Sequence, residues 1–282
     1  MIEIEGLSFS YTKRPFIENM SFSVSQGEIF GFLGPSGAGK STLHKILTGQ
    51  LGGYGGSVRV FDREVKSHGR EFYERIGIDF EFPTLYEKLT ARQNLRFFGS
   101  LYAPPLRDND ELLGRLELTQ DADKKVSDYS KGMKSRLNFL RALINDPEIL
   151  FLDEPTGSLD PSIARLMKDM ILEEKTKGKT VILTTHNMQD AQELCDRVAF
   201  IVNGSIVALD TPHNLIMRKG AVSLRYSWLE GGVEHSAECP LHKTGGDSRL
   251  QGLVAEGRLL TVHSAEPNLG DIFMEVTGRA LQ

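Results

Sequence analysis

Apolar and polar residues alternate over the opening stretch of the chain, at Ile2 and Ile4 and again at Phe22 and Val24, with turn-forming residues between. A period of two marks strands with one buried face, so the spacing predicts an antiparallel β start. From Ile29 the pattern changes. Ile29-Phe30-Gly31-Phe32-Leu33 is a continuous apolar run, as are Ile149-Leu150-Phe151-Leu152 and Val181-Ile182-Leu183. Such runs suit strands covered on both faces, as in a parallel sheet. Helix-period patterns lie between them, over residues 42–48, 91–102, 131–144, 162–175 and 188–195. Buried strands alternating with helices predict an α/β core: a parallel sheet with helices on both faces.

The 282 residues leave room for one large domain and a small one. A boundary is expected at Thr211-Pro212, giving a domain over 1–211 and an extension over 212–282. Past the boundary Val222, Leu224, Tyr226 and Trp228 alternate, Gly231-Gly232 offers a turn, residues 259–262 are apolar, and a helical pattern spans 269–281. These features predict a small α+β appendage without a catalytic pattern. The best candidate for a membrane span, residues 198–209, is broken by Asn203-Gly204 and reads as two strands, so a soluble chain is expected. The N-terminus lacks the basic and apolar regions of a signal peptide. Acidic and basic residues are mixed at a formal net charge of −5, which argues against nucleic acid as the main partner. Cys195 and Cys239 stand apart from any C-x-x-C pair and are expected as reduced thiols of a cytosolic protein.

The chemistry begins at Gly34-Pro35-Ser36-Gly37-Ala38-Gly39-Lys40-Ser41, which matches G-x-x-x-x-G-K-[ST] at every fixed position. A buried strand precedes it, and a helical pattern opening at Thr42 follows. Glycines let successive backbone N–H groups face phosphate oxygens at a helix N-terminus. Lys40 supplies a cation for the β- and γ-phosphates, and the Ser41 hydroxyl can ligate Mg²⁺. The apolar run 149–152 then delivers Asp153 and Glu154 at its C-terminal end, the edge where parallel sheets place their sites. Asp153 suits Mg²⁺, and Glu154 suits a general base acting on water.

Between these motifs lies Tyr129-Ser130-Lys131-Gly132-Met133, followed by a helix pattern with Leu137, Leu140 and Ile144 on its apolar face. Ser130 is a good N-cap, and Gly132 allows close backbone approach. At this point residues 1 to about 209 resemble the ABC ATPases, whose L-S-x-G-[QM] signature falls just upstream of the acidic strand. The resemblance implies a P-loop NTPase core with an N-terminal antiparallel β subdomain and a helical signature subdomain at about 83–145. Its cofactors are ATP and Mg²⁺. It places Tyr11 where the family stacks an aromatic ring on adenine. His186 takes the position of the γ-phosphate histidine, and Asp160 falls in the loop that crosses the dimer interface. Ser130, Lys131, Gly132 and Met133 would then meet the nucleotide of a second subunit, so the resemblance implies a homodimer sandwiching two ATP molecules.

Two departures stand out. Glu81 occupies the place of the family's glutamine, in the loop joining the active site to the membrane subunit, and a metal or coupling role is expected for it. Gly157-Ser158-Leu159 puts serine where relatives often have glycine, with a small local change expected and Asp160 unaffected. The Ser130–Met133 variant, Glu81 and the tail ending Asp271-Ile272-Phe273-Met274-Glu275-Val276-Thr277-Gly278-Arg279 look like bacterial exporter ATPases of the drug and antibiotic resistance type. The resemblance therefore implies a transmembrane partner and a place on the cytoplasmic side of the membrane. An importer ATPase is one alternative; a non-transport ABC sensor or scaffold is another. The single cassette and the absence of sustained heptads set ribosome and chromosome relatives further off.

Overall fold

The computed structural model describes residues 1–218, 223–265 and 267–278. Cα packing divides the chain into two compact units, Met1–Leu209 and Asp210–Leu281.

The first unit opens with β1 (Ile2–Phe9) and β2 (Ile17–Val24), then β3 (Ile29–Leu33) and α1 (Lys40–Leu47). Next come β4 (Gly55–Val60), β5 (Arg63–Glu64), α2 (Arg70–Glu74) and β6 (Ile76–Asp79). Three helices follow, α3 (Ala91–Gly99), α4 (Asn109–Arg115) and α5 (Lys131–Leu143). The unit is completed by β7 (Ile149–Asp153), α6 (Pro161–Thr176), β8 (Thr180–Thr185), α7 (Met188–Leu194), β9 (Arg197–Val202) and β10 (Ser205–Asp210). The antiparallel start is a four-stranded sheet ordered β2-β1-β4-β5, and the buried runs form a six-stranded sheet ordered β10-β9-β3-β8-β7-β6. In the larger sheet β3 pairs parallel with β8 and β9, and β7 parallel with β6 and β8.

Alternation explains how the two sheets share one core. Ile2, Ile4 and Leu7 of β1 are buried while Glu3 and Glu5 are exposed. These apolar side chains pack with Leu43, Ile46 and Leu47 of α1 and with Phe30, Phe32, Phe151 and Ile182, every second residue of their strands. Helix α1 is thus held among apolar residues of both sheets, which fixes the loop at its N-terminus.

Local chemistry sets the helix starts. Thr90 and Gln93 form a reciprocal capping box at α3, Ser130 Oγ accepts from Met133 N at 3.2 Å at α5, and Asp160 accepts from Ser162 N and Ile163 N at α6. α5 lies close on β6: a Cβ added at Gly77 would stand 2.0 Å from the Ala142 carbonyl oxygen. Only glycine permits that approach.

The second unit holds α8 (Pro212–Met217), β11 (Ser223–Glu230), β12 (Val233–Pro240), α9 (Ser248–Ala255), β13 (Leu259–Ala265) and α10 (Leu269–Thr277). Its sheet is antiparallel in the order β12-β11-β13, and Tyr226, Trp228, Cys239, Leu250 and Leu253 form its core. The sequence pattern had not shown α2, α4, α8 or α9. The final helix is shorter than the predicted 269–281: it stops at Thr277 with Gly278 in the left-handed region. Val222 and residues 279–281 of that expectation lie outside the described residues. Cys195 and Cys239 are both free and buried. Among the described residues no helix is long and apolar enough to cross a membrane.

Candidate functional site

A cavity of 330 Å³ opens beside the loop between β3 and α1, and Ser36 to Thr42 form one of its walls. Gly34 and Pro35 lie outside that wall, and their carbonyl oxygens accept from Lys40 Nζ at 2.6 and 3.2 Å. Burial lowers the Lys40 pKa, while the nearby carboxylates of Glu154, Asp153 and Glu81 pull it back up. A buried cation among three carboxylates is held by the carbonyls of its own loop.

Asp153, Glu154, Glu81 and His186 form the opposite wall. Asp153 ends β7 and is buried, and its carboxylate accepts a hydrogen bond from Thr184 Oγ1 on the neighbouring strand β8. Glu154 sits one residue later at φ +52°, a region non-glycine residues rarely occupy, and its N–H donates to Thr184 O at 3.0 Å. His186 Nδ1 stands 2.8 Å from Glu154 Oε1, and Thr185 Oγ1 donates to Glu154 Oε2 at 3.3 Å. Both carboxylate oxygens are thus engaged and the group is oriented towards the cavity. This pairing of Glu154 with His186 had no signal in the spacing of the two residues.

Ser41, Asp153, Glu154 and Glu81 place hard oxygen donors around one cavity. Among the described residues no three His, Cys, Asp or Glu side chains gather closely enough to hold a metal by themselves. That donor set fits Mg²⁺, which commonly takes one or two protein oxygens and fills its octahedron with phosphate oxygens and water.

The signature residues divide. Lys131 and Ser135 of α5 line the cavity, whereas Ser130, Gly132 and Met133 do not. Gly132 abuts the loop after Glu154, 3.3 Å from Ser158 O measured from an added Cβ. Asp160 is exposed and occupied in capping α6. Tyr11 is also outside the cavity wall: it is 57 % exposed, and its hydroxyl lies 2.9 Å from Thr42 Oγ1. Phe16 lines the cavity instead, a ring to which the sequence reading gave no role.

Two buried groups behind the site were also missed. His44 on α1 packs edge-on against Phe151, 5.4 Å between centroids, and burial pushes its pKa down to about 4, so it is neutral. Asp79, at the end of β6, accepts from Asn138 Nδ2 of α5 at 2.6 Å. Asn138 Nδ2 also donates to Phe80 O, and Arg141 of α5 donates to Thr84 O, Thr84 Oγ1 and Ile78 O. Burial pushes the Asp79 pKa up to about 8, against the pull of Arg141 and Asn138. Its folded pKa exceeds the unfolded value, so its contribution to stability is complete only in acid and fades as pH rises through about 8. Asp79→Asn is therefore expected to flatten the fall in melting temperature between pH 6 and 9. An unchanged slope would contradict a neutral Asp79.

The sequence profile of the ABC transporter family matches residues 17–157. A fluoroquinolones export ATP-binding protein of Mycobacterium tuberculosis (strain ATCC 25618 / H37Rv) is 49 % identical over 100 % of this chain and 94 % of its own length. The chain belongs to the ABC transporter family. A Nod factor export ATP-binding protein I of Rhizobium meliloti (strain 1021) is 35 % identical over 100 % of this chain and 89 % of its own. The solved ATP-binding subunit of an ABC transporter superposes with TM-score 0.72 at 27 % identity, covering 78 % of this chain and 93 % of that one. A bacterial ABC transporter cassette solved as a dimer gives TM-score 0.66 at 25 % identity, covering 75 % and 98 %. This ABC protein is accordingly an ATP-binding subunit and an ATPase, with the mixed α/β cassette fold of the family.

Proposed function

We propose that this ABC ATPase works as one half of a head-to-tail homodimer, driving export through a separate transmembrane subunit from the cytoplasmic side of a bacterial membrane. One observation carries the catalytic part: Lys40, Asp153, Glu154 and His186 converge on one cavity beside a phosphate-binding loop. The β- and γ-phosphates of ATP would displace the Gly34 and Pro35 carbonyls as partners of Lys40. Backbone N–H groups of residues 36–41 would hold the remaining phosphate oxygens at the N-terminus of α1. Ser41, Asp153 and Glu81 would hold Mg²⁺, which supplies charge neutralisation at the phosphates.

Glu154 takes a proton from the attacking water, and His186, hydrogen-bonded to it, orients the carboxylate and faces the γ-phosphate. A residue at positive φ, fixed through both carboxylate oxygens, needs little rearrangement when water arrives. The export names of relatives aligned along the whole chain support the direction of transport, and the dimeric cassette supports the assembly. In that dimer Ser130, Lys131, Gly132 and Met133 would close on the partner's nucleotide, with Asp160 at the interface.

The assembly has a direct test. With Glu154→Gln to stop turnover, ATP and Mg²⁺ should convert a monomer into a dimer by light scattering. Adding Ser130→Arg should keep the chain monomeric with ATP bound. Affinity purification from membranes should bring down a multi-spanning protein. A chain that binds ATP, stays monomeric and purifies alone contradicts the proposal.

A further inference from the structure

The loop after β7 and the loop after β8 are joined by a ring of hydrogen bonds. Thr185 Oγ1 donates to Glu154 Oε2 at 3.3 Å and accepts from Asn187 N at 2.9 Å. Asn187 Oδ1 caps α7, accepting from Asp190 N at 3.2 Å. Asp190 Oδ2 then accepts from Thr156 Oγ1 at 2.6 Å. Thr156 lies just past Glu154 in the chain, where the ring closes, and Gly157 N donates to Glu154 O at 3.1 Å in the same turn.

An acidic residue in the first turn of a helix favours that helix even when it faces solvent. Asp190 does not face solvent: it is 6 % exposed. A buried carboxylate is costly unless it is paired and hydrogen-bonded. Its second oxygen, Oδ1, lies 3.2 Å from Lys168 Nζ of α6, and Lys168 also pairs with Glu193. The lysine balances the charge, and the bond from the Thr156 hydroxyl is of the short, charge-assisted kind.

Glu154 has need of such a fastening. At φ +52° it holds a strained backbone conformation, which persists only where the surroundings over-determine it. The chain before it is fixed in β7, and its own N–H is bound to Thr184 O. Thr156 and Asp190 fix the chain after it. The same loop runs on to Ser158, whose carbonyl stands against Gly132.

We infer that Thr156 and Asp190 are positioning residues for hydrolysis. Their bond locks the loop after Glu154 onto the first turn of α7 and so keeps the Glu154 carboxylate, with His186, aimed into the cavity. The inference rests on the reading of Glu154 as the base. Neither Thr156 nor Asp190 lines the cavity, so their effect belongs to the chemical step and not to ATP binding.

Steady-state phosphate release by the full chain tests this. Thr156→Val keeps the shape of the side chain and removes its hydroxyl. Its kcat should fall about tenfold, the order set by one lost hydrogen bond to a carboxylate, with KM for ATP within about twofold. Thr156→Ser should restore most of kcat. Asp190→Ala should lower kcat about as far, and the two changes together no further, because both remove the same bond. In a Glu154→Gln background Thr156→Val should cost nothing more, since it acts through that carboxylate. Thr156→Ala, with its melting temperature checked, replaces the valine variant if that one does not fold. A kcat within about twofold of wild type in a folded Thr156→Val overturns the inference, as do additive losses or a kcat that serine leaves low. Glu154→Gln losing less than about tenfold would instead remove the base, and the inference with it.

Discussion

Glu154→Gln lowers phosphate release by about a hundredfold to ten-thousandfold while leaving ATP binding intact. That range is what a positioned general base contributes to a proton transfer. Glutamine keeps the size of the side chain and an oxygen to accept from His186 Nδ1, now 2.8 Å from Glu154 Oε1. It cannot take a proton from water. The measurement is steady-state phosphate release at saturating ATP, with nucleotide retention checked by equilibrium binding. A fall smaller than tenfold would remove Glu154 from the role of base and point to water activation by the phosphate itself.

Lys40→Met is expected to cost about a hundredfold to a thousandfold in turnover, the usual loss when one preorganised charge donor is removed from a reacting centre. Unlike Glu154→Gln it should also weaken ATP binding, since the ammonium meets phosphates in the ground state as well. Folding stability should not fall. The amine is buried at an unfavourable desolvation cost that already lowers its pKa, and methionine fills the same space without it. Phosphate release with a melting curve on the same sample checks both halves. Turnover within tenfold of wild type would mean that Lys40 stays on the Gly34 and Pro35 carbonyls in the loaded state.

The parts of this protein visible in the sequence are those where one segment carries its own signal. The runs at Ile29, Ile149 and Val181 are apolar because their strands, β3, β7 and β8, are buried throughout. The phosphate loop announces itself because its glycines and lysine must lie at fixed spacing within one short segment. What the sequence did not reveal depends on distant segments meeting. Phe16 lines the cavity, and its carbonyl packs against Gly204 in the turn between β9 and β10, far along the chain. The His186–Glu154 pair forms because β7 and β8 are neighbours. Asp79 is buried beside Asn138 because α5 lies on β6. Thr211-Pro212, expected as a domain boundary, also opens α8, with threonine at N-cap and proline at N1. Helix α2, with five residues, is too short to establish a period.

The close seating of α5 on β6 has a mechanical consequence. Asn138 and Arg141 grip residues 78–84 from one helix, and the Gly77–Ala142 approach leaves no slack beneath them. The strand end leading to Glu81 is thereby tied to the helix that Ser130 heads. Force applied at the exposed ring of Phe82 is accordingly expected to reach the serine through the helix instead of dissipating in the loop.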